Sequence, residues 1–507
     1  MRWRKYVFGT VVVAALAWSA IAVAQNLLER EARAMLDAWV RSPPAPLTAF
    51  KYGNVNFDIV QRRLVVSNVE LSGPDAGRIA IEQIAIVDPQ PAAFDNVINP
   101  ARYKDGKGQG DFVQVASLVE IRSIDMQASD GETTVAAVST GAVALRQFAV
   151  APTKANLSDE IAKVVGILAP GIRIAEIAIS DAVHRDTSED EGLRIARLGA
   201  RGIDAGRIAE ARIDDLRFLE KEDDNERDAV TIGAIIVSGI DLTRALPDMA
   251  AGRPVSGSDP ARKPQVDRWA LQALGGTALA AHGFSVARMG ADVSRLADGR
   301  TERVSFHVEG IELAAPADAD SPVARILSGL GYPALKGTIA CVSDSDYARK
   351  SWKMAPCDFN VPGAGALSLT YALSGIDVSA PAGADGVDAM VQSLAAASLE
   401  WVRLIYRDEG LANRAIAHGA QAAGQPEAAF RQARAAQIRD GAQAYGAGSP
   451  RVAAVVDAVL QFLGRPGTLA VGLEPAAPVT FGSLGLGLLG DPAAAADRLG
   501  LTGSHTP

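Results

Sequence analysis

From Leu64 to Leu71 the chain reads Leu-Val-Val-Ser-Asn-Val-Glu-Leu, with apolar side chains at Leu64, Val66, Val69 and Leu71, that is at offsets 0, 2, 5 and 7. The same spacing starts again at Ile79, Val119, Val143, Ile172, Leu193, Ala211, Val230, Phe284, Phe306, Tyr371 and Leu399. Its two middle positions are mostly polar or small, as in Glu82-Gln83, Arg122-Ser123, Asp214-Asp215 and Glu309-Gly310. A helix does not account for this spacing, because at about 100° per residue the four side chains scatter around the cylinder. A strand accounts for each half, since a step of two keeps one face. The step of three in the middle turns the face over. Two geometries restore it. One is a β-bulge at the middle pair, where two residues oppose one. The other is a bend at which the strand leaves one apolar layer and enters another. Both place a β-sheet, built by repetition, at the core. The copies start at uneven intervals, which excludes a strict solenoid of fixed period.

Other elements follow from local signals. Residues 25–41 read as an amphipathic helix with Leu27, Leu28, Met35, Leu36 and Trp39 on its apolar side, ended by Ser42-Pro43-Pro44. Residues 88–112 read as an exposed loop. Ser158 is placed to cap a helix running to Pro170-Gly171. Short helices are expected at Leu242–Met249, Val266–Leu274 and Pro322–Leu330, and Glu220 to Asp228 reads as a solvated hairpin tip. Beyond about residue 385 comes one more strand, Leu399–Tyr406. Ala-rich helices follow at Leu411–Ala423, Pro426–Tyr445 and Arg451–Leu463, then a final β or irregular stretch.

The first residues change the picture of location. Arg2, Arg4 and Lys5 precede an apolar run from Tyr6 to Ala24. That order keeps the N-terminus cytoplasmic and sends the body outward. The run is long enough to span a bilayer as an uncleaved anchor. Ala22-Val23-Ala24 also fits a cleaved signal, and both alternatives export the rest, in a bacterium to the periplasm.

The 507 residues suffice for two or three domains, and a 48% hydrophobic fraction supports a large core. A net charge of −9, with no basic block beyond the N-terminus, argues against a nucleic-acid partner, and 5% aromatic residues provide no stacking platform. The two cysteines, Cys341 and Cys357, flank a stretch centred on Arg349. A hairpin there sets them opposite one another, so a cross-strand disulfide is expected. Closing a loop of roughly 15 residues contributes about 3 kcal/mol.

Catalytic and metal chemistry finds little support. The five histidines form no i,i+4 pair, and no CxxC, HExxH or GxSxG occurs. Gly485-Leu486-Gly487-Leu488-Leu489-Gly490 fits GxGxxG but lacks a following βαβ unit. Asp408-Glu409 read as a turn capping the helix from Leu411 rather than as paired acids. No cofactor is implied.

Two stretches carry a resemblance. Tyr52-x-x-Val55-x-Phe57 leading into Leu64-Val65-Val66-Ser67-Asn68-Val69-Glu70-Leu71, after an N-terminal anchor, resembles the opening of AsmA-like bacterial envelope proteins. The tail is similar to YdgA-like envelope proteins through Leu399-Glu400-Trp401, Tyr406-Arg407-Asp408-Glu409-Gly410-Leu411 and Gly464-Arg465-Pro466-Gly467-Thr468-Leu469. The identity is confined to these short motifs. The resemblance implies an inner-membrane-anchored periplasmic protein with a long curved antiparallel β-sheet, a role in envelope integrity or phospholipid transport, and no catalytic residues.

The expected fold is therefore mainly β with α: a long, groove-like antiparallel sheet with an N-terminal transmembrane helix and a C-terminal α-helical segment. Its parts are residues 1–41 (anchor and amphipathic helix), 50–384 (β-rich repeat domain) and 385–507 (α+β domain). The expected function is non-enzymatic: a single-pass inner-membrane protein of envelope maintenance, its bulk in the periplasm, binding or passing phospholipid along an apolar β-groove. The lining expected for such a groove is Val66, Val69, Ile81, Ile84, Ile174, Ile177, Ile195, Leu198, Ile232 and Ile235. The alternative is a structural protein with a closed β core and a helical tail, carrying Arg431, Arg434 and Arg439, that docks envelope proteins.

Overall fold

A computed structural model describes residues 29–43, 48–58, 61–73, 77–89, 111–128, 131–146, 165–166, 169–186, 191–222, 225–251, 264–315, 321–376, 396–446, 448–483 and 491–507. The apolar run Tyr6–Ala24, most of the helix expected after Ser158, the boundary expected near residue 385 and the Gly485–Gly490 stretch lie outside the described residues. No helix among the described residues is long and apolar enough to cross a membrane. Among the described residues the strands form an antiparallel sheet of 22 strands that is not closed. The chain divides into two compact units. Unit 1 is Met1–Val255 with Arg262–Trp269, and unit 2 is Ser256–Ala261 with Ala270–Pro507.

Unit 1 opens with α1 (Glu29–Arg41). Its strands are β1 (Ala49–Lys51), β2 (Asn54–Asp58), β3 (Arg63–Gly73), β4 (Gly77–Val87), β5 (Val113–Ala116), β6 (Leu118–Ala128), β7 (Gly131–Thr140), β8 (Val143–Leu145), β9 (Ile172–Asp186), β10 (Glu191–Asp204), β11 (Arg207–Glu222) and β12 (Asn225–Asp241), followed by the five-residue α2 (Leu246–Ala250). β1 and β2 succeed one another along one edge of β3. Across the sheet from β3 come β4, β6, β7, β9, β10, β11 and β12. β5 and β8 pair with each other, and β8 continues the line of β7 against β9. Helix α1 closes the β1–β2 end. Leu36 is 3% exposed, Trp39 meets Phe50 edge-on at 5.5 Å, and Arg33 Nη2 donates to the Val55 carbonyl at 3.0 Å. A helix laid over an outer strand in this way shields its unpaired backbone.

The step of three in the repeat is neither a two-against-one bulge nor a crossing between layers. Offsets 0, 2, 5 and 7 read the same in both directions, so two antiparallel copies pair apolar to apolar in an unbroken register: Leu64↔Ile86, Val66↔Ile84, Val69↔Ile81 and Leu71↔Ile79. Between Ser67↔Gln83 and Val69↔Ile81 the residues Asn68 and Glu82 drop out of the ladder one against one. Asn68 adopts a left-handed backbone with φ 53°. The same gap recurs on every following pair and draws a seam through Asn68, Glu82, Ser123, Ala136, Asp181, Ala196, Asp215 and Gly233. Every second strand turns left-handed there, at Asn68, Ser123, Asp181 and Asp215. A second, shorter seam joins Ala175, Gly202, Ala209 and Gly239, with Gly202 and Gly239 left-handed. Asn, Asp and Gly carry that conformation at the least steric cost. True register shifts occur elsewhere, for example between Phe218 and Leu219.

β13 (Arg268–Gly275) straddles the boundary between the units. It occupies most of the stretch expected to be a helix at Val266–Leu274. Trp269, Leu271 and Leu274 follow offsets 0, 2 and 5, and Ala273 is left-handed with φ 51°, so this is a further copy of the repeat. The helix expected at Leu242–Met249 is reduced to α2, which starts where Pro247 can occupy a first-turn position.

Unit 2 continues with α3 (Thr277–Ala281), β14 (Phe284–Arg295), β15 (Thr301–Ala314), α4 (Pro322–Gly329), β16 (Ala334–Asp346), β17 (Ser351–Val361), β18 (Gly365–Ser374) and β19 (Ser398–Asp408). Then come α5 (Leu411–Ala422), α6 (Glu427–Gly446), α7 (Pro450–Gly464), β20 (Thr468–Leu473), β21 (Val479–Thr480), α8 (Pro492–Arg498) and β22 (Leu501–Thr506). β14 to β19 pair in sequence, β20 and β21 share the next edge, and β22 lies beyond β20. The expected hairpin sets Cys341 opposite Cys357, Cα to Cα 3.9 Å, and the two form a disulfide. Asp408 caps α5: its carboxylate accepts from the Gly410 and Ala412 amides at 3.0 and 2.8 Å.

Candidate functional site: the apolar sheet face

The unbroken register aligns the apolar positions of successive strands into rows across unit 1. One row runs Val69, Ile81, Ile124, Val135, Ala182, Ile195, Leu216, Ile232. Across the seam the next runs Val66, Ile84, Ile121, Val138, Ile179, Leu198, Ile213, Ile235. Ile177 lies in a third row with Thr140 and Ala200, and Ile174 in a fourth with Val143, Ile203, Ile208 and Ile240. All ten residues expected to line a groove thus share one face.

Burial along that face is uneven. Val66, Val69, Ile81, Ile84 and Ile174 are 1–5% exposed and belong to one core cluster, with Leu36, Phe50, Val115 and Leu145. Ile177 and Leu198 pack against that cluster from its margin. Ile195, Ile232 and Ile235 are half-buried, and Phe218 on β11 is 38% exposed. The face is filled from β3 to β9 and thins from β10 to β12.

Unit 2 carries two comparable rows. One is Ala291, Phe306, Cys341, Cys357, Leu369, Leu404, Val471, and the other is Met289, Val308, Ile339, Phe359, Leu367, Tyr406, Leu469, His505. The disulfide is part of this surface. Two small clusters cover the strand ends: Leu373, Ile376, Ala397, Leu399 and Leu499 at one, Leu327, Tyr332 and Ala364 at the other. Helix α7 covers the β20–β22 margin. A Cβ on Gly503 would come within 2.6 Å of Val455 Cα, so only glycine admits the helix there. Phe462 stands edge-on to Tyr406 at 5.8 Å and to His505 at 6.2 Å. Burial first, and then its hydrogen bond to Asp408, push the Tyr406 phenol well above its usual pKa. Between these covers, Phe359 and Leu404 are 38% and 40% exposed. The sequence pattern marks which residues share a face. It carries no signal for which part of the face is filled, because filling depends on contacts such as that of Leu36 on α1 with the cluster, which no local pattern marks.

The opposite face of unit 1 is a lattice of ion pairs. Arg63 and Arg122 meet Glu120 at 3.0 and 3.7 Å, Arg197 meets Glu176 at 2.9 Å, and Arg217 bridges Asp215 and Asp228 at 2.8 and 2.9 Å. In the helical tail, Arg431 is bound to the Leu463 carbonyl and to Asn413, while Arg434 lies over the Phe430 ring. Among the described residues no group of three or more His, Cys, Asp or Glu is placed to hold a metal ion.

A family model described as "Uncharacterized protein" matches residues 358–506, from within β17 to the last residue of β22. No curated protein matches the chain.

Proposed function

We propose that this chain is a non-enzymatic, inner-membrane-anchored periplasmic protein of envelope maintenance, and that the open part of its apolar β-face binds phospholipid acyl chains. The observation that carries the reading is the contrast in burial along the apolar pattern within each unit. The apolar repeat of unit 1 is filled over most of β3–β9 and left half-open at Ile195, Phe218, Ile232 and Ile235 of β10–β12, although Leu216 between them is buried, and unit 2 is half-open at Phe359 and Leu404. Exposed apolar patches on a folded surface mark binding sites. Each buried CH₂ gains about 0.8 kcal/mol, so an acyl chain gains several kcal/mol on such a face. The location rests on the charge-then-apolar N-terminus and on the resemblance of the Tyr52–Leu71 stretch to AsmA-like proteins.

The expected lining is narrowed by this argument. In unit 1, Ile177, Ile195, Leu198, Ile232 and Ile235 stay in it, joined by Phe218; in unit 2, Phe359 and Leu404 form a separate candidate patch. Val66, Val69, Ile81, Ile84 and Ile174 serve as core. Phe359→Asp and Leu404→Asp therefore leave the fold intact and lower binding of a fluorescent fatty acid at least tenfold. Ile81→Asp, which places a charge at a 1% exposed site, unfolds the chain. Unchanged binding in both folded variants refutes the lining.

The structural alternative also has an observation behind it. No side chain described on α6 is buried and most are exposed, as on a helix that awaits a partner. With Arg431 engaged inside the unit, Arg434 and Arg439 are the cations it offers. That reading expects a lipid-free protein.

A further inference from the structure

At the end of β5, β8 and β9 two arginines share one aromatic ring. The Arg173 guanidinium carbon lies 4.3 Å from the Phe112 ring centroid, and that of Arg146 lies 5.1 Å from it. Arg173 is held side-on by Asp204, its Nε and Nη2 donating at 3.1 and 3.0 Å, so Nη1 is left pointing away from the carboxylate. Arg146 is half-buried and meets no carboxylate within ion-pair distance among the described residues. Asp111, next to Phe112, is exposed and pairs with neither arginine. Among the described residues the two guanidinium ions on the ring meet one carboxylate, that of Asp204, in a chain whose net charge is −9. This contrasts with neighbouring arginines of the same sheet, where Arg197, Arg201, Arg207 and Arg212 each sit against a carboxylate.

Stacking on an aromatic face leaves the edge N–H donors of a guanidinium free and fixes their direction. Two like charges on one ring repel unless an anion lies between their edges. A carboxylate has two oxygens and satisfies one fork. A phosphate group has enough oxygens to engage two. We propose that Arg146, oriented by Phe112 and assisted by Arg173, binds a phosphate-class anion at this strand end. The proposal does not depend on acyl chains occupying the other face. Its ligand is a free phosphate or phosphate ester, or the phosphodiester of a lipid headgroup.

Titration of the full-length chain in nonionic detergent with inorganic phosphate, and separately with soluble dihexanoyl-phosphatidylglycerol, tests it. Wild type binds at least one of the two saturably, and Arg146→Gln weakens that binding at least tenfold. Arg194→Gln, at an exposed arginine on β10 outside the cluster, leaves it unchanged. Preference for inorganic phosphate identifies a free anion as the source, and preference for the lipid identifies the headgroup. If Arg146→Gln melts early, Arg146→Lys keeps the charge without the fork and still weakens binding. Absence of saturable binding of either ligand to folded wild type, or binding indifferent to both Arg146 variants, overturns the proposal. In that case the stack is only a staple between strands.

Discussion

The left-handed residues of the seam set the shape of each strand pair. They occupy offset 4 of the repeat at Asn68, Ser123, Asp215, Ala273 and Gly310, while Asp181, Gly202 and Gly239 stand four residues after Ile177, Leu198 and Ile235, each the third apolar position of its copy. A left-handed backbone costs an ordinary side chain roughly 1–2 kcal/mol, and a β-branched one fares worst. Asn68→Val therefore lowers stability by about 1–2 kcal/mol, whereas Asn68→Gly stays close to wild type; urea unfolding of the two variants checks this. Equal loss in both would mean that the Asn68 side chain, not its backbone, matters. The apolar half of the repeat was legible as a β signal from Leu64 onward. The geometry of the middle step is not legible in a single copy, because it depends on the strand paired against it. The palindromic spacing shows its consequence only when Leu64–Leu71 is laid antiparallel on Ile79–Ile86. The signal that locates the kink is the run of Asn, Ser, Asp and Gly at the second middle position.

Tyr52 offers a second test at the same scale. Its hydroxyl donates to Asp37 at 2.5 Å, joining α1 to the sheet. Burial first, and then that hydrogen bond, push its pKa from the ordinary 10 up to about 12. The folded state thus favours the protonated phenol. The resulting stability is complete below pH 10 and is lost as pH rises through about 12. Wild type should lose stability faster than Tyr52→Phe across that window, as followed by urea midpoints. Parallel pH curves would remove the bond from the account.

Among elements, the β16–β17 hairpin is the clearest case of a long-range feature read from spacing. Cys341 and Cys357, 16 residues apart, are a direct cross-strand pair in the row that also holds Phe306, Leu369 and Leu404. Closing a loop of this length contributes about 3 kcal/mol in the chain-entropy account. Reductant should lower the urea midpoint of wild type and leave that of the Cys341→Ala/Cys357→Ala double variant unmoved. A wild-type midpoint that ignores reductant contradicts the assignment. The reading failed at Val266–Leu274. Trp269, Leu271 and Leu274 are compatible with a short helix when taken alone, and Ala273 gave no warning of a left-handed kink. The expected bounds of α4 to α7 agree with the structure to within two residues, because α5 to α7 are Ala-rich stretches separated by Gly and Pro and α4 opens on Pro322.

On the scale of the whole molecule, one apolar pattern is used in two ways. Where Leu36 of α1, Val115 of β5 and Leu145 of β8 join its cluster, its side chains are core. Where nothing among the described residues covers it, as at Phe218, Phe359 and Leu404, it remains available. The sequence marks the face but not its cover, since cover depends on contacts between segments far apart in the chain. Residues 29–507 retain α1, whose Leu36 completes the core, and make the right material for the decisive measurement. That measurement is lipid mass spectrometry of this protein exported to the periplasm and purified without detergent. Phospholipid at about one molecule or more per chain, lost in Phe359→Asp and Leu404→Asp, is the result the account predicts. A stable, monodisperse protein free of lipid would contradict it and would leave the closed core with a partner-docking tail as the function.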